Sequence, residues 1–247
     1  MSLENKATSF LNSNAARIVL LCLLPLGLSF FFWKTYPFST ELAQKTFSLS
    51  SLSPIQRENV DLAARAVDKR VIQPGEEFSF NGVVGPRSDG RGYRAAPSYL
   101  GPDSPATVGG GICLLSSALY QAALESNCSV TQRVPHMRTI ASVLPGLDAT
   151  VWYGSVDLKF KNAFKFPIQL STECKDNNLR VRFLGPDDAP KQERSILHTF
   201  VASRTRDELQ VEVMKESSGK RSLISRDLYR VSHSGISYSE SKAHRSR

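Results

Sequence analysis

Cys113, His136 and Asp148 follow one another along the chain, and they are the residue types of a nucleophile, a proton carrier and an orienting carboxylate. In chemistry that passes through a thioester, the thiolate attacks an acyl carbon, the imidazole moves the proton, and the carboxylate fixes the imidazole tautomer. The reaction class this order suggests is acyl transfer to, or hydrolysis of, an amide or peptide bond. Gly109-Gly110-Gly111 precedes the cysteine, and Leu115, Ala118, Leu119 and Ala122 follow it at helical spacing. A loop without side chains therefore delivers Cys113 to the first turn of a helix. Backbone N–H groups there have no intrahelical partner and the positive end of the helix dipole favours an anion, so a thiol in that place tends towards thiolate. The glycines also allow a backbone or a substrate to come close. With Gly109, Gly110 and Gly111, the cations Arg87 and Arg133 are the candidate substrate-holding residues. Taken singly, each residue has an ordinary reading: a packing cysteine, a core histidine, an aspartate that bonds a turn. A zinc site from Cys113, Cys128 and His136 lacks any short ligand pair, so neither metal nor other cofactor is expected.

Several elements must position these residues. Ser53-Pro54 heads the stripe Ile55, Val60, Ala63, Ala64 and Val67, which predicts a helix across about 55–69 whose charged residues form a solvated face. Phe78-Ser79-Phe80 alternates as a strand closed by Asn81-Gly82, and residues 93–100 read as a second strand. The helix beginning at Cys113 stops near Asn127. Strands are then expected at 129–134, 138–144, 148–153, 157–162, 166–170 and 179–184, with turns at Pro145-Gly146 and Asp176-Asn177-Asn178. His136 and Asp148 would sit on neighbouring strands facing the helix start, the arrangement of papain-like and transglutaminase-like enzymes. A helix followed by a run of strands gives an α+β domain with a mainly antiparallel sheet around a central helix starting at Cys113.

The 247 residues, 41% hydrophobic and 22% charged, describe a folding chain with room for one domain and appendages. A net charge of +8 and pI near 9.4 fit an anionic membrane surface or cell-wall polymer, and no interleaving of aromatics with Lys and Arg points to nucleic acid. Residues 18–33 form an apolar run ending in Phe30-Phe31-Phe32-Trp33 before Lys34, and no small-x-small cleavage site follows. A single-pass anchor is expected, with the bulk of the chain outside the cytoplasm; a cleaved signal is the competing expectation. Cys128 and Cys174 could bond in such a compartment, although sequence does not bring them within reach.

One set of motifs resembles the VanW family across roughly residues 70–172: Phe78-Ser79-Phe80-Asn81, Gly85-Pro86-Arg87, Gly92-Tyr93, Gly109-Gly110-Gly111-Ile112-Cys113, Leu119-Tyr120, Arg133 with His136, Gly146-Leu147-Asp148-Ala149-Thr150-Val151 and Asp157-Leu158-Lys159-Phe160-Lys161-Asn162. The resemblance implies a membrane segment ahead of the domain, a cell-envelope setting and a link to peptidoglycan or glycopeptide response. It implies no particular reaction. The family commonly has glutamine directly after the cysteine, where this chain has Leu114; if that glutamine donates to an oxyanion or a substrate carbonyl, this chain lacks the donor.

The expected organisation is a tail and anchor over 1–34, a Ser- and Thr-rich tether over 35–52, a VanW-like domain over 53–186, a C-terminal strand extension over 187–238 and a disordered tail over 239–247. The hairpin within that extension, Leu209–Val213 with Ser222–Arg230, is expected to add to the domain's sheet. Three functions stay open: an envelope-anchored cysteine acyltransferase or amidase, a module that binds peptidoglycan without catalysis, and a structural envelope protein.

Overall fold

A computed structural model describes residues 38–98, 106–190 and 193–231 of the chain. Its frame is a four-stranded sheet in the order β1-β9-β8-β2, built from β1 (Phe38–Ser48), β2 (Val71–Ile72), β8 (Ile168–Lys175) and β9 (Asn178–Pro186). β8 pairs antiparallel with both β9 and β2. The tight β8–β9 turn works because Asp176 and Asn177 take positive φ, 49° and 61°, as a type I′ hairpin requires. Helix α1 (Pro54–Val67) packs on this sheet, starting with a capping box in which Ser53 and Gln56 bond each other's backbone. Ala63, Ala64 and Val67 are buried from it, and the hydroxyl of Thr172 in β8 donates to Ala64 O at 2.6 Å.

Helix α3 (Cys113–Glu125) is the central element. Leu114 to Leu124 are buried all round, which marks an interior helix rather than an amphipathic surface one. It ends before Asn127, whose φ of 65° supplies the left-handed exit. A second antiparallel sheet, β3 (Glu77–Ser79), β7 (Lys159–Lys161) and β6 (Ser129–Gln132), stacks Phe78 on Phe160 with ring centroids 4.7 Å apart. The third, β10 (Ile196–Arg204), β11 (Glu208–Ser217) and β12 (Lys220–Arg230), is antiparallel throughout. The architecture is thus α+β with mainly antiparallel sheets.

Several expectations are corrected. The stretch expected to be a tether contains β1, an edge of the main sheet, because Leu42, Ala43, Leu49 and Leu52 are apolar anchors buried in the core. Phe80 leaves the expected strand and opens a short helix, α2 (Phe80–Val84), capped by the Ser79 hydroxyl on Gly82 N–H. Of the stretch expected as a second strand, the described residues 93–98 pair only in β4 (Ala95–Ala96), with β5 (Thr107–Val108). Residues 138–144 and 148–153 are not strands: they lie in a long irregular segment, with Gly146 and Gly154 at positive φ and two isolated bridges, Arg138 to Arg230 and Trp152 to Val156. The C-terminal hairpin joins no earlier sheet but forms its own with β10. Cys128 and Cys174 are free thiols. The apolar run at 18–33 lies outside the described residues, and among those described no helix is long and apolar enough to cross a membrane.

Candidate active site

The glycine loop is held by α1. Asn59 donates from one amide nitrogen to Arg94 O at 2.9 Å and Gly110 O at 3.0 Å, while its oxygen accepts from Arg94 N–H. Gln56 donates to Pro97 O at 2.8 Å. With the 94–97 segment drawn in this way, a Cβ on Gly110 would lie 2.3 Å from Ala96 O and 2.6 Å from Pro97 O. Gly109 and Gly111 take φ of +84° and +100°. The close approach allowed by the three glycines is therefore first an approach of the chain to itself. It sets Cys113 at the start of α3, part-exposed, with Sγ 3.8 Å from Val151 O.

Three polar residues in the buried stretch of α3, Leu114 to Leu124, fix the segment that follows β6. Gln121 donates to Leu147 O at 2.9 Å, and Ser116 to Ala149 O at 2.6 Å. Ser117 accepts from Ala149 N–H at 2.9 Å and donates to Cys113 O. Residues 147–151 thus run along the helix that carries the thiol, and Thr150 N–H bonds Val134 O at 2.8 Å to bring the His136 segment alongside. These serines and the glutamine escaped the sequence reading. The signal for them was three polar side chains between Leu114 and Leu124, a stretch otherwise of Leu, Ala and Tyr.

Asp148 and His136 meet as the order of residues suggested, though from loops rather than strands. Asp148 Oδ2 accepts from His136 N–H at 2.7 Å and from Nδ1 at 2.6 Å, which turns the rest of the ring towards the cavity that it shares with Cys113. Burial alone would lower the pKa of His136; its hydrogen bonds to Asp148 and Cys113 and the charges of both outweigh it and raise the value to about 9. Asp148 is 1% exposed, and burial opposes its ionisation, yet His136, Arg133 and Tyr229 together hold its carboxyl below the usual carboxylate range.

Arg133 does not line the cavity. Its guanidinium is 6% exposed and lies behind the imidazole, over the Tyr120 ring at 5.0 Å. Nε donates to Asp148 O at 2.7 Å, one terminal nitrogen to Asp148 Oδ1 at 3.1 Å, and the other to Asp227 Oδ2 at 2.6 Å. Tyr229 completes the cluster: its hydroxyl donates to Asp148 Oδ1 at 2.6 Å and accepts from Gly146 N–H at 2.6 Å. Both Asp227 and Tyr229 come from β12, so the C-terminal sheet restrains the carboxylate that orients the imidazole. Sequence reasoning missed both. The available hint was Asp227 and Tyr229 at alternate positions of one strand, facing the same way.

The cavity has a volume of about 300 Å³, the lower end of the range for small-molecule sites. Arg87 and all three glycines are in its wall together with Cys113 and His136, and the half-exposed Trp152 and Tyr153 border it. Leu114, by contrast, is fully buried in the core and absent from the cavity, and its N–H is bonded to Gly111 O. A side chain at that position points away from the thiol, so exchanging glutamine for leucine there removes no donor from the cavity wall.

The VanW-like protein family model matches residues 56–184, more than half of the chain, and this span takes in the glycine loop, Cys113, His136 and Asp148. The chain belongs to the VanW family. Among curated relatives, the "Uncharacterized protein YoaR" of Bacillus subtilis (strain 168) is 39% identical over 128 residues, covering 52% of this chain and 42% of the relative. The "Vancomycin B-type resistance protein VanW" of Enterococcus faecalis (strain ATCC 700802 / V583) is 27% identical over 143 residues, covering 56% of this chain and 50% of the relative. This VanW-family chain therefore spans about half the length of the curated relatives it matches. No solved structure matches it. β12 lies beyond the matched span, so Asp227 and Tyr229 are supports for the site that the family match does not include.

Proposed function

We propose that this VanW-family protein is a cell-envelope cysteine amidase or acyltransferase acting on peptidoglycan-related peptides. The observation that carries the reading is one cavity shared by a helix-start thiol and an imidazole whose Nδ1 is 2.6 Å from a buried carboxylate. In the reaction the Cys113 sulfur bonds the acyl carbon and the C–N bond breaks. The departing amine takes its proton from the His136 imidazolium, leaving a thioester and a neutral ring. Water, or the amine of a second peptide, then attacks the thioester while His136 accepts its proton, and Cys113 departs with the acyl product released. Asp148 keeps the ring in the tautomer that both steps need. Trp152 and Tyr153 give the cavity mouth an apolar, aromatic surface on which a sugar or peptide can rest.

The envelope setting is supported by the likeness to the vancomycin resistance protein of E. faecalis, by the basic charge of the chain and by the apolar run at residues 18–33, which we take as a single-pass anchor leaving the folded part extracytoplasmic. The test is mass-spectrometric profiling of muropeptides incubated with the full-length protein and with Cys113→Ser, His136→Ala and Asp148→Asn. Product formation lost in the first two and reduced in the third supports the enzyme. Equal binding of muropeptides by the parent and Cys113→Ser, with no product from either, replaces it with a non-catalytic peptidoglycan-binding module.

A further inference from the structure

Three side-chain atoms in the cavity wall are buried and make no hydrogen bond: Arg87 Nη2, Ser98 Oγ and Thr150 Oγ1. Buried polar groups in folded proteins are nearly always satisfied, because an unmet one carries the full penalty of its lost hydration. Three such groups around one cavity, beside a thiol and an imidazole, are donors that the fold itself does not use.

Arg87 is also fixed in direction. Its other terminal nitrogen donates to Gly85 O at 2.9 Å, and its guanidinium lies 5.3 Å from the Phe80 ring centroid and 5.9 Å from that of Tyr153. The loop beneath it is anchored by Asp157, which accepts from the Ser79 hydroxyl at 2.6 Å and from Asn81 N–H at 2.9 Å. Burial lowers the pKa of Arg87, partly offset by the charge of nearby Cys113; a guanidinium nonetheless stays cationic at any ordinary pH. A cation in the cavity wall with one nitrogen tied back, the other buried without a partner, and no carboxylate of the described residues bonded to it is suited to receive an anion.

We propose that this cavity recognises a carboxylate, with Arg87 Nη2 and the Ser98 and Thr150 hydroxyls binding the free carboxylate and adjoining carbonyl of a short peptide whose reacting acyl carbon faces Cys113. Three donors match the two oxygens of a carboxylate and one carbonyl. The inference rests on the reading of Cys113 as the nucleophile and narrows its substrates to peptides with a free carboxylate close to the bond attacked; a capped or amidated peptide at that position is excluded.

Iodoacetate and iodoacetamide test it, because they differ in little but a carboxylate against a carboxamide. A free thiolate repels iodoacetate, so in solution the amide is the faster reagent. In the full-length protein Cys113 is expected to react faster with iodoacetate, and Arg87→Gln should lower the iodoacetate-to-iodoacetamide rate ratio about tenfold, the factor associated with a charge-assisted hydrogen bond. Loss of the cation beside Cys113 lowers the iodoacetamide rate as well, so the ratio and not either single rate reads out anion recognition, and Arg87→Lys should retain part of the preference. A ratio unchanged in Arg87→Gln overturns the inference and leaves the nucleophile in place. If iodoacetamide modifies Cys113 no faster than Cys128 or Cys174, it is the nucleophile reading that fails, and the anion site is then decided by Trp152 fluorescence. Saturable binding of N-acetylglycine but not N-acetylglycinamide, lost in Arg87→Gln, upholds the site; equal or absent binding of the two overturns it.

Discussion

Tyr229→Phe removes a single oxygen from β12, at a position the family match does not reach, and should weaken the whole site. The hydroxyl donates to Asp148 Oδ1 at 2.6 Å, accepts from Gly146 N–H at 2.6 Å, and receives a longer contact from Arg133 at 3.3 Å. The ring is 1% exposed, so water cannot replace the lost partner and the phenylalanine ring occupies the same space. One charge-assisted hydrogen bond is lost and a buried N–H is left without its acceptor, a combined destabilisation of about 3 kcal/mol. For a folded part of this size that corresponds to a fall in Tm of about 6–12 °C. Urea unfolding followed by tryptophan fluorescence measures the first figure, and calorimetry the second. Leu228→Ala, at a 56% exposed neighbour on the same strand, is the control and should change stability by less than about 0.5 kcal/mol. A Tyr229→Phe protein as stable as that control would show that the hydroxyl is not part of the support for Asp148, and the link between the C-terminal sheet and the site would fall with it.

The remaining predictions concern titration, the glycine loop and the other thiols. The pKa of His136 lies at about 9 in the fold against 6.5 for an ordinary imidazole, so the native state holds this proton more tightly than the unfolded chain. Its contribution, up to about 3 kcal/mol, is complete below the unfolded value and disappears as pH rises through the folded one; stability measured from pH 6 to 10 should decline over that window, and His136→Gln should abolish the decline. Gly110→Ala should prevent native folding, since its Cβ would stand 2.3 Å from Ala96 O, whereas Gly154→Ala meets nothing within 4 Å and has only a φ of +86° to resist it, costing about 1 kcal/mol; circular dichroism and urea titration separate the two. Burial pushes the Cys128 and Cys174 thiols up to about 11, so near neutral pH a stoichiometric alkylating reagent should modify Cys113 ahead of either, as peptide mapping would reveal.

What the sequence made legible was local. The Ser53-Pro54-Gln56 start and the apolar period after it gave α1, and the glycines followed by Leu115, Ala118 and Leu119 gave α3, because capping and helical spacing act within a turn or two. Cys113, His136 and Asp148 could be picked out by type and order. Their supports could not, because each arises from a contact between distant parts of the chain. β1 hides in a stretch dominated by Ser and Thr, and its role depends on an edge of β9 that closes only in the fold. Arg133 looked like a substrate cation, but its charge is consumed by Asp148 and Asp227, the latter from β12. The segments carrying His136 and Asp148 read as strands from their apolar residues, yet Pro135, Pro145 and Gly146 break them, and bonds from Ser116, Ser117 and Gln121 replace a sheet ladder.

The central claim is that Cys113 carries the acyl group. Its most direct test is intact-mass spectrometry of the full-length protein, quenched in acid during turnover of muropeptides and then mapped by proteolysis. The account predicts a mass gain equal to an acyl fragment of the muropeptide, located on the peptide containing Cys113, released by hydroxylamine as a thioester and absent from Cys113→Ser. Muropeptides consumed equally by the parent and Cys113→Ser, with Cys113 recovered unmodified, would contradict it.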